Sequence, residues 1–422
     1  MELTKNDQGV LCCEGIPLND IADDVGTPAY VYSGQAIDQA FDAVRKALSF
    51  GPHLIAYAVK ANSTLAVLRR LRDLGAGADI VSGGELLRCR KAGIPANRIV
   101  FSGVGKRDEE IQLALDEGVR SIHVESQAEL RSIEQIAAAS GKRATISIRL
   151  NPNVDAKTHP YIATGLHNTK FGVEAEEARR LLPSILDSEH LELEGLACHI
   201  GSQLSDPKAL EEAITIVAKL AVEFREQGAP IRSIDAGGGW PIVYGNEGES
   251  LPQAADLGLA IKNGLLAGGL SPTEIETIVE PGRSIVGKAG LLLTRVIFQK
   301  DQPKKRFVIV DAAMNDLIRP ALYQAYHDIR PVKERESAGA PIVVDVVGPV
   351  CESGDFFARD RPLAPVEKGD LLAVLDAGAY SMVMTSNYNT RPRPPEVLVE
   401  GTSYRVVRKR ETIQELWRGE TP

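Results

Sequence analysis

Apolar residues recur along this chain with two periods, and the two alternate. Short runs rich in β-branched residues read as strands at His53–Val59, Ala78–Val81, Arg98–Ser102, Val119–Val124, Ala144–Leu150, Leu193–His199, Ile231–Asp235 and Glu276–Glu280. Between them, apolar positions fall three and four apart, as in Leu65, Leu68, Leu71 and Leu74. That spacing predicts helices over Thr64–Leu74, Gly84–Ala92, Asp108–Glu117, Gln127–Ala139 and Lys208–Glu226. Gly75, Gly93, Gly118 and Gly141 fall just past helix ends, where a left-handed cap is commonly needed.

Strands that alternate with helices pair in parallel, and eight such units predict a closed (β/α)8 barrel of the TIM type. An open doubly wound sheet is the other arrangement this pattern allows. After Glu280 the rhythm changes to short strands punctuated by Gly, Pro and Asp: Gly290–Phe298, Arg306–Val310, Ile342–Val347, Asp370–Val374 and Glu396–Val399. These predict a second, antiparallel β domain, sandwich- or barrel-like. Strands at Val10–Cys13 and Ala29–Tyr32 are expected to pair with it. The fold class is therefore α/β plus all-β, with a barrel over 36–283 and a β domain made of 1–35 and 284–422. Lys304–Lys305–Arg306 and Arg408–Lys409–Arg410 read as solvated turns or faces.

At 422 residues the chain suits two or three domains, and 44% hydrophobic with 25% charged residues is a globular mix. The net charge of −9 argues against a nucleic-acid partner, which would need a basic face. No apolar run approaches the roughly 20 residues of a membrane span. Met1–Val10 is polar and lacks a secretory profile, so a cytoplasmic setting is expected. The five cysteines, Cys12, Cys13, Cys89, Cys198 and Cys351, form no C-x-x-C pair and suggest neither a disulfide framework nor a zinc site.

A barrel places its chemistry at the C-terminal ends of its strands. Lys60 ends the first strand in Ala56-Tyr57-Ala58-Val59-Lys60-Ala61-Asn62. Most such lysines are surface residues, but at a barrel mouth a partly desolvated amine can form a Schiff base. His199 ends the sixth strand in Cys198-His199-Ile200-Gly201-Ser202-Gln203, where a purely structural histidine is the plainer reading. Asp235-Ala236-Gly237-Gly238-Gly239 ends the seventh, and its glycines form either a tight turn or a cradle of N–H groups for phosphate. The eighth ends in Glu280-Pro281-Gly282-Arg283, which adds a carboxylate and a guanidinium. An amine, a phosphate cradle and a carboxylate for a pyridine nitrogen are the kit for pyridoxal 5′-phosphate.

The AYAVKAN, HIGSQ, GGG and EPGR segments together resemble the fold-type III pyridoxal-phosphate decarboxylases, which share an alanine-racemase-like barrel. Arg319-Pro320-Ala321-Leu322-Tyr323, Gly348-Pro349-Val350-Cys351-Glu352-Ser353-Gly354-Asp355, Gly378-Ala379-Tyr380 and Ser386-Asn387-Tyr388-Asn389 resemble the branch that decarboxylates diaminopimelate. The likeness runs from about the first strand to Val399. It implies decarboxylation of meso-diaminopimelate at its D centre to give L-lysine and carbon dioxide, the last step of lysine biosynthesis. It further implies that Lys60 forms the internal aldimine, that His199 stacks on the ring, and that Glu280 pairs with the pyridinium nitrogen. Ser202, Gly238, Gly239 and Tyr380 would contact the phosphate, with Gly282 and Arg283 beside it. Asp79 matches a cofactor-side acidic position, or caps the helix that begins at Ser82–Glu85. Arg283, Arg319 and Tyr323 would bind the distal carboxylate with Tyr380 near it, Glu352 the distal ammonium, and Cys351 would deliver the final proton. The same resemblance implies a head-to-tail homodimer with active sites at its interface.

The long stretch Asn151–Gly172 reads equally as a lid or a surface excursion, with His159, Tyr161, His167 and Lys170 as candidate contacts. Three other readings compete. One is a sibling decarboxylase of another amino acid, including a carrier-bound one. Another is a non-catalytic cofactor-binding homologue, against which Lys60 and Cys351 speak. A racemase is the third.

Overall fold

In a computed structural model of the protein, residues 1–155, 170–245, 251–333 and 339–421 are described. The chain divides into two compact units. One comprises Ala40–Ile242 and Glu249–Ser284; the other comprises Met1–Gln39, Val243–Gly248 and Ile285–Pro422.

The first unit is a closed barrel of eight parallel strands: β1 (His53–Ala58), β2 (Gly77–Ile80), β3 (Ile99–Phe101), β4 (Ser121–Val124), β5 (Ala144–Leu150), β6 (Leu191–Cys198), β7 (Ser233–Asp235) and β8 (Glu276–Val279). Neighbours in sequence are neighbours in the barrel, and closure comes from β8 against β1, with Thr277, Ile278 and Val279 opposite His53, Leu54 and Ile55. The open doubly wound sheet is thereby ruled out. Leu54, Ala56, Val100 and Ile278 pack as a buried cluster inside.

Local sequence explains how the helices start and stop. Ser82-Gly83-Gly84-Glu85 and Ser126-Gln127-Ala128-Glu129 are two capping boxes of the S-x-x-E type. Each serine oxygen accepts from the glutamate's backbone N–H, at 3.2 and 3.1 Å. Each glutamate side chain reaches back to an N–H of the preceding residues, Val81 and Glu125 respectively. Asp79 is therefore not the cap of this helix. The four predicted cap glycines all lie in the left-handed region, with φ from +63° to +90°.

The second unit is a mixed sheet rather than a purely antiparallel one. Its long strand Gly290–Gln302 pairs antiparallel with Ala29–Ser33, Lys305–Val310 and Leu371–Val374. Two ladders are parallel: Phe307–Ile309 with Asp345–Val347, and Glu396–Val399 with Tyr30–Ser33. Ala29–Ser33 thus joins this sheet as expected. Leu11–Cys13 instead sits in a small three-stranded sheet with Leu3–Lys5 and Ile16–Pro17, tied to the unit by a bridge from Val10 to Lys333. Helices at Leu18–Val25 and Gly34–Ala47 and strands at Phe356–Leu363 and Ser403–Arg408 add to the elements expected from the sequence. The core gathers Leu18, Ile21, Val31, Leu291, Leu293, Val397 and Val399.

The basic runs are more than solvated faces. Arg408 forms an ion pair with Glu396, a fully buried carboxylate that also accepts from Tyr32 Oη at 2.8 Å. Arg410 donates to the Pro28 carbonyl at 2.9 Å. Lys305 pairs with Asp345 at 2.7 Å.

Candidate active site

All eight barrel strands bring a polar side chain to their C-terminal end: Lys60, Asp79, Ser102, His123, Arg149, His199, Asp235 and Glu280. Because the strands are parallel, these ends share one face of the barrel. Apolar neighbours in each strand face the helices, so the polar residues converge inward.

Lys60 follows β1 in a single 3₁₀ turn, and its Nζ lies 2.6 Å from Asp79 Oδ2. Ser102 Oγ lies 3.1 Å from His123 Nδ1 and 3.2 Å from Glu280 Oε1. His123 Nε2 is 3.8 Å from Asp235 Oδ2. Arg149 is held by Glu125 at 2.8 Å, and the same carboxylate accepts from the N–H groups of Gly103 and Gly172 at 3.0 Å each. The backbone N–H of Gly238 donates to His199 Nδ1 at 3.0 Å. That contact leaves the proton of a neutral ring on Nε2 and fixes the ring plane.

Burial dominates the electrostatics. It pushes the Glu280 carboxyl well above its ordinary range, helped by the charges of Asp235 and Asp79. Burial raises Asp235 to about 7, with Asp79 adding to the effect. It lowers His199 well below the usual imidazole value, with Arg149 and Lys60 acting in the same direction. Asp79, Asp235 and Glu280 are thus three buried carboxyls in one space, and among the described residues Asp79 Oδ1 and Asp235 Oδ2 have no hydrogen-bond partner.

The glycine turn after β7 leaves no room for side chains. A Cβ at Gly238 would stand 2.4 Å from the Glu280 carbonyl, and one at Gly239 would stand 2.3 Å from that of Gly201. Gly239 also has φ of +89°, so its backbone takes a course that other residues rarely adopt. Gly282 packs against Ala58 and Ala61, and Arg283 Nη2 donates to Ser202 Oγ at 3.2 Å. The residues present fit pyridoxal 5′-phosphate. An amine stands at the site, a cationic ring nitrogen would relieve the crowded carboxyls, and a close-packed glycine turn with Ser202 and Arg283 suits a phosphate.

Arg319, Tyr323, Tyr380, Cys351 and Glu352 belong to the second unit. Arg319 is buried on the short helix Arg319–Tyr323, with its guanidinium 5.0 Å above the Tyr244 ring and 5.9 Å from that of Tyr323. Its Nε donates to His327 Nε2 at 3.4 Å, while His327 Nδ1 lies 2.7 Å from the Leu375 carbonyl. Tyr380 is half-buried with a left-handed φ of +54°, unusual for a tyrosine. Cys351, Glu352 and Ser353 are all exposed. Their loop is pinned by Asp355, whose two carboxylate oxygens accept from Val350 and Met314 N–H at 2.7 Å each.

Ser102, His123, Arg149 and Asp235 were not singled out as site residues from sequence. A signal existed: Ser121-Ile122-His123 and Ser147-Ile148-Arg149 alternate polar with apolar, so their polar side chains share the inward face. Asp235 was read only as the start of the glycine turn. His159, Tyr161 and His167 lie outside the described residues, whereas Lys170 is exposed with its Nζ 5.4 Å from the Phe171 ring.

Residues 35–287 match the family described as pyridoxal-dependent decarboxylase, pyridoxal binding domain. The chain is 49% identical over 403 residues to a diaminopimelate decarboxylase of Aquifex aeolicus, covering 96% of this chain and 94% of that protein. It is 49% identical over 411 residues to the Pseudomonas aeruginosa enzyme of the same name, covering 97% of each. Among solved structures, diaminopimelate decarboxylase from Helicobacter pylori in complex with L-lysine superposes with a TM-score of 0.90 at 45% identity, covering 95% of this chain and 98% of that one. Diaminopimelate decarboxylase from M. jannaschii superposes with a TM-score of 0.93 at 39% identity, covering 100% of this chain and 98% of that one. Identity at this level along nearly the whole length, on a barrel that gathers an amine, a glycine cradle and buried carboxyls, places this chain in the diaminopimelate decarboxylase family of pyridoxal-dependent decarboxylases.

Proposed function

We propose that this protein is a pyridoxal 5′-phosphate-dependent carboxy-lyase that converts meso-2,6-diaminopimelate, at its D centre, to L-lysine and carbon dioxide. The observation that carries this reading is the H. pylori relative, alike over 95% of this chain and crystallised with L-lysine, the product of that reaction. When bound, pyridoxal 5′-phosphate supplies a sink for the electron pair that the departing carboxyl leaves behind.

The chain's own residues do the rest. Lys60 presents the amine that holds the cofactor, and Asp79, 2.6 Å away, positions it. His199 offers a neutral, plane-locked ring for stacking. Glu280 faces the ring nitrogen, where a cation would make its buried charge favourable. Gly238, Gly239, Ser202, Gly282 and Arg283 hold the phosphate, with Tyr380 contributing its hydroxyl. Arg319, Tyr323 and Arg283 read the distal carboxylate, because a guanidinium fork matches a planar anion. Glu352 reads the distal ammonium, and Cys351 donates the proton to the carbon that has lost carbon dioxide.

The exposed Cys351–Ser353 tip, rigidly anchored by Asp355, supports a head-to-tail homodimer in which that loop serves a second copy of the chain. Among the described residues no helix is long and apolar enough to cross a membrane. The test is carbon dioxide release by the purified protein with pyridoxal 5′-phosphate on meso-diaminopimelate, ornithine and arginine side by side. Strong preference for diaminopimelate with L-lysine as product supports the reading. Preference for a substrate without a distal carboxylate overturns the roles of Arg319 and Tyr323.

A further inference from the structure

Four of the eight strand-end residues, Ser102, His123, Arg149 and Asp235, have no part in the roles above, and Ser102, His123 and Asp235 cluster around Glu280. Glu280 Oε1 is 3.2 Å from Ser102 Oγ, which is 3.1 Å from His123 Nδ1. On the far side of the imidazole, Nε2 faces Asp235 Oδ2 across 3.8 Å. Both of those facing atoms are buried and, among the described residues, have no hydrogen-bond partner. The second oxygen of Asp235 accepts from the Gly237 N–H at 2.8 Å, so Oδ2 is the one turned toward the ring.

Two proton arrangements satisfy the path through Ser102 and His123, and Asp235 also stands close enough to Glu280 for the two carboxyls to interact directly. If Glu280 is charged, Ser102 donates to it, His123 Nδ1–H donates to Ser102, and bare Nε2 must meet a proton on Asp235. If Glu280 is protonated, every donor reverses: Glu280 donates to Ser102, Ser102 to Nδ1, and Nε2–H to a charged Asp235. Closing the Nε2 to Oδ2 gap to hydrogen-bond length takes about 1 Å of side-chain movement.

We infer that Asp235, His123 and Ser102 form a relay holding one mobile proton that sets the charge of Glu280. In the step, Asp235 Oδ2 gives its proton to His123 Nε2, Nδ1 gives its proton to Ser102 Oγ, and the serine hydroxyl gives its proton to Glu280 Oε1. One proton leaves Asp235, one arrives at Glu280, and the imidazole changes tautomer without becoming charged. Lys106, Arg149, Lys60 and Arg120 all oppose a positive ring, and with burial they lower His123 to about 3. Asp235 and Glu280 are the acidic groups that face it. The relay rests on the reading that Glu280 meets a protonated ring nitrogen. It lets Glu280 become anionic when that cation is present and neutral when it is not, with no proton exchanged with solvent. His123 is a positioning residue in this scheme.

The test is nitrogen NMR of the full-length protein labelled with ¹⁵N-histidine, recorded before and after addition of pyridoxal 5′-phosphate. One ring, absent from the spectrum of His123→Gln, is expected to switch from the Nε2–H to the Nδ1–H tautomer when cofactor binds. Ser102→Ala, a small change that also serves if His123→Gln does not fold, should freeze that tautomer and raise the cofactor dissociation constant about tenfold. A wild-type His123 with the same tautomer in both states, while the cofactor binds, overturns the relay alone. A wild-type protein that takes up no cofactor overturns the reading of the barrel site and the relay with it.

Discussion

In the barrel, each candidate residue is wedged against others: Lys60 on Asp79, His199 under the Gly238 N–H, Glu280 on Ser102. In the β unit the candidates divide. Arg319 is buried and fixed by His327 and Tyr244, whereas Cys351 and Glu352 stand exposed on a loop that Asp355 pins at its base. A buried polar network is held in one geometry because every unsatisfied group there is costly. An exposed but anchored tip is held ready for a surface that it does not itself contain. On the proposed reading, the contrast separates a seat for the cofactor from groups that act on what that seat presents.

Four experiments probe that separation. The largest effect belongs to Lys60→Ala, which should cut kcat by roughly 10³-fold or more and abolish covalent retention of the cofactor. Absorbance of the purified protein and carbon dioxide release read the two losses. Cys351→Ala should lose about 10²–10⁴-fold in kcat with the cofactor spectrum unchanged. Were the spectrum to change as well, the division between seat and tip would collapse. Mixing the Lys60→Ala and Cys351→Ala chains should restore activity that neither has alone, as a shared site in a homodimer requires. Arg319→Ala should raise KM for diaminopimelate by about 30-fold or more, since a truncated charge contact costs about 2–5 kcal/mol.

The smallest effect is one of pH. Burial pushes the Asp316 carboxyl up to about 7 from an ordinary 3.8, so the folded chain keeps a proton that the unfolded chain releases. Its contribution to stability is complete below pH 3.8 and is lost as pH rises toward 7. Asp316→Asn cannot titrate and should gain on the wild type across that window by about 2–4 °C in Tm. Thermal unfolding at the two ends of the range measures it.

Much of this was legible in the residues themselves. The barrel strands follow from β-branched runs set between 3.6-period stretches, and Lys60, His199 and Glu280 each end such a run. The β unit was less legible because alternation says which face is buried but not whether the partner strand runs parallel. The parallel pairing of Tyr30–Ser33 with Glu396–Val399 leaves no local mark. Helix Leu18–Val25 was missed for another reason. Eight residues give too little periodicity, and the helix is held by burial of Leu18, Ile21 and Ala22. The charge run at Arg408 looked solvated because its buried partner, Glu396, lies twelve residues upstream on the neighbouring strand.

The strand Ala29–Ser33 lies between Gly290–Leu293 on one side and Glu396–Val399 on the other. During synthesis it emerges long before either partner, and one of its edges stays unpaired until Glu396–Val399 has been made. The barrel waits likewise, since β1 has no partner on one side until β8 is complete. Pairings this distant in sequence close slowly and leave bare strand edges exposed to neighbouring nascent chains. The protein's yield in a cell is therefore set by how quickly its late segments arrive, and slowing translation over the last hundred or so codons should send more of it to aggregates.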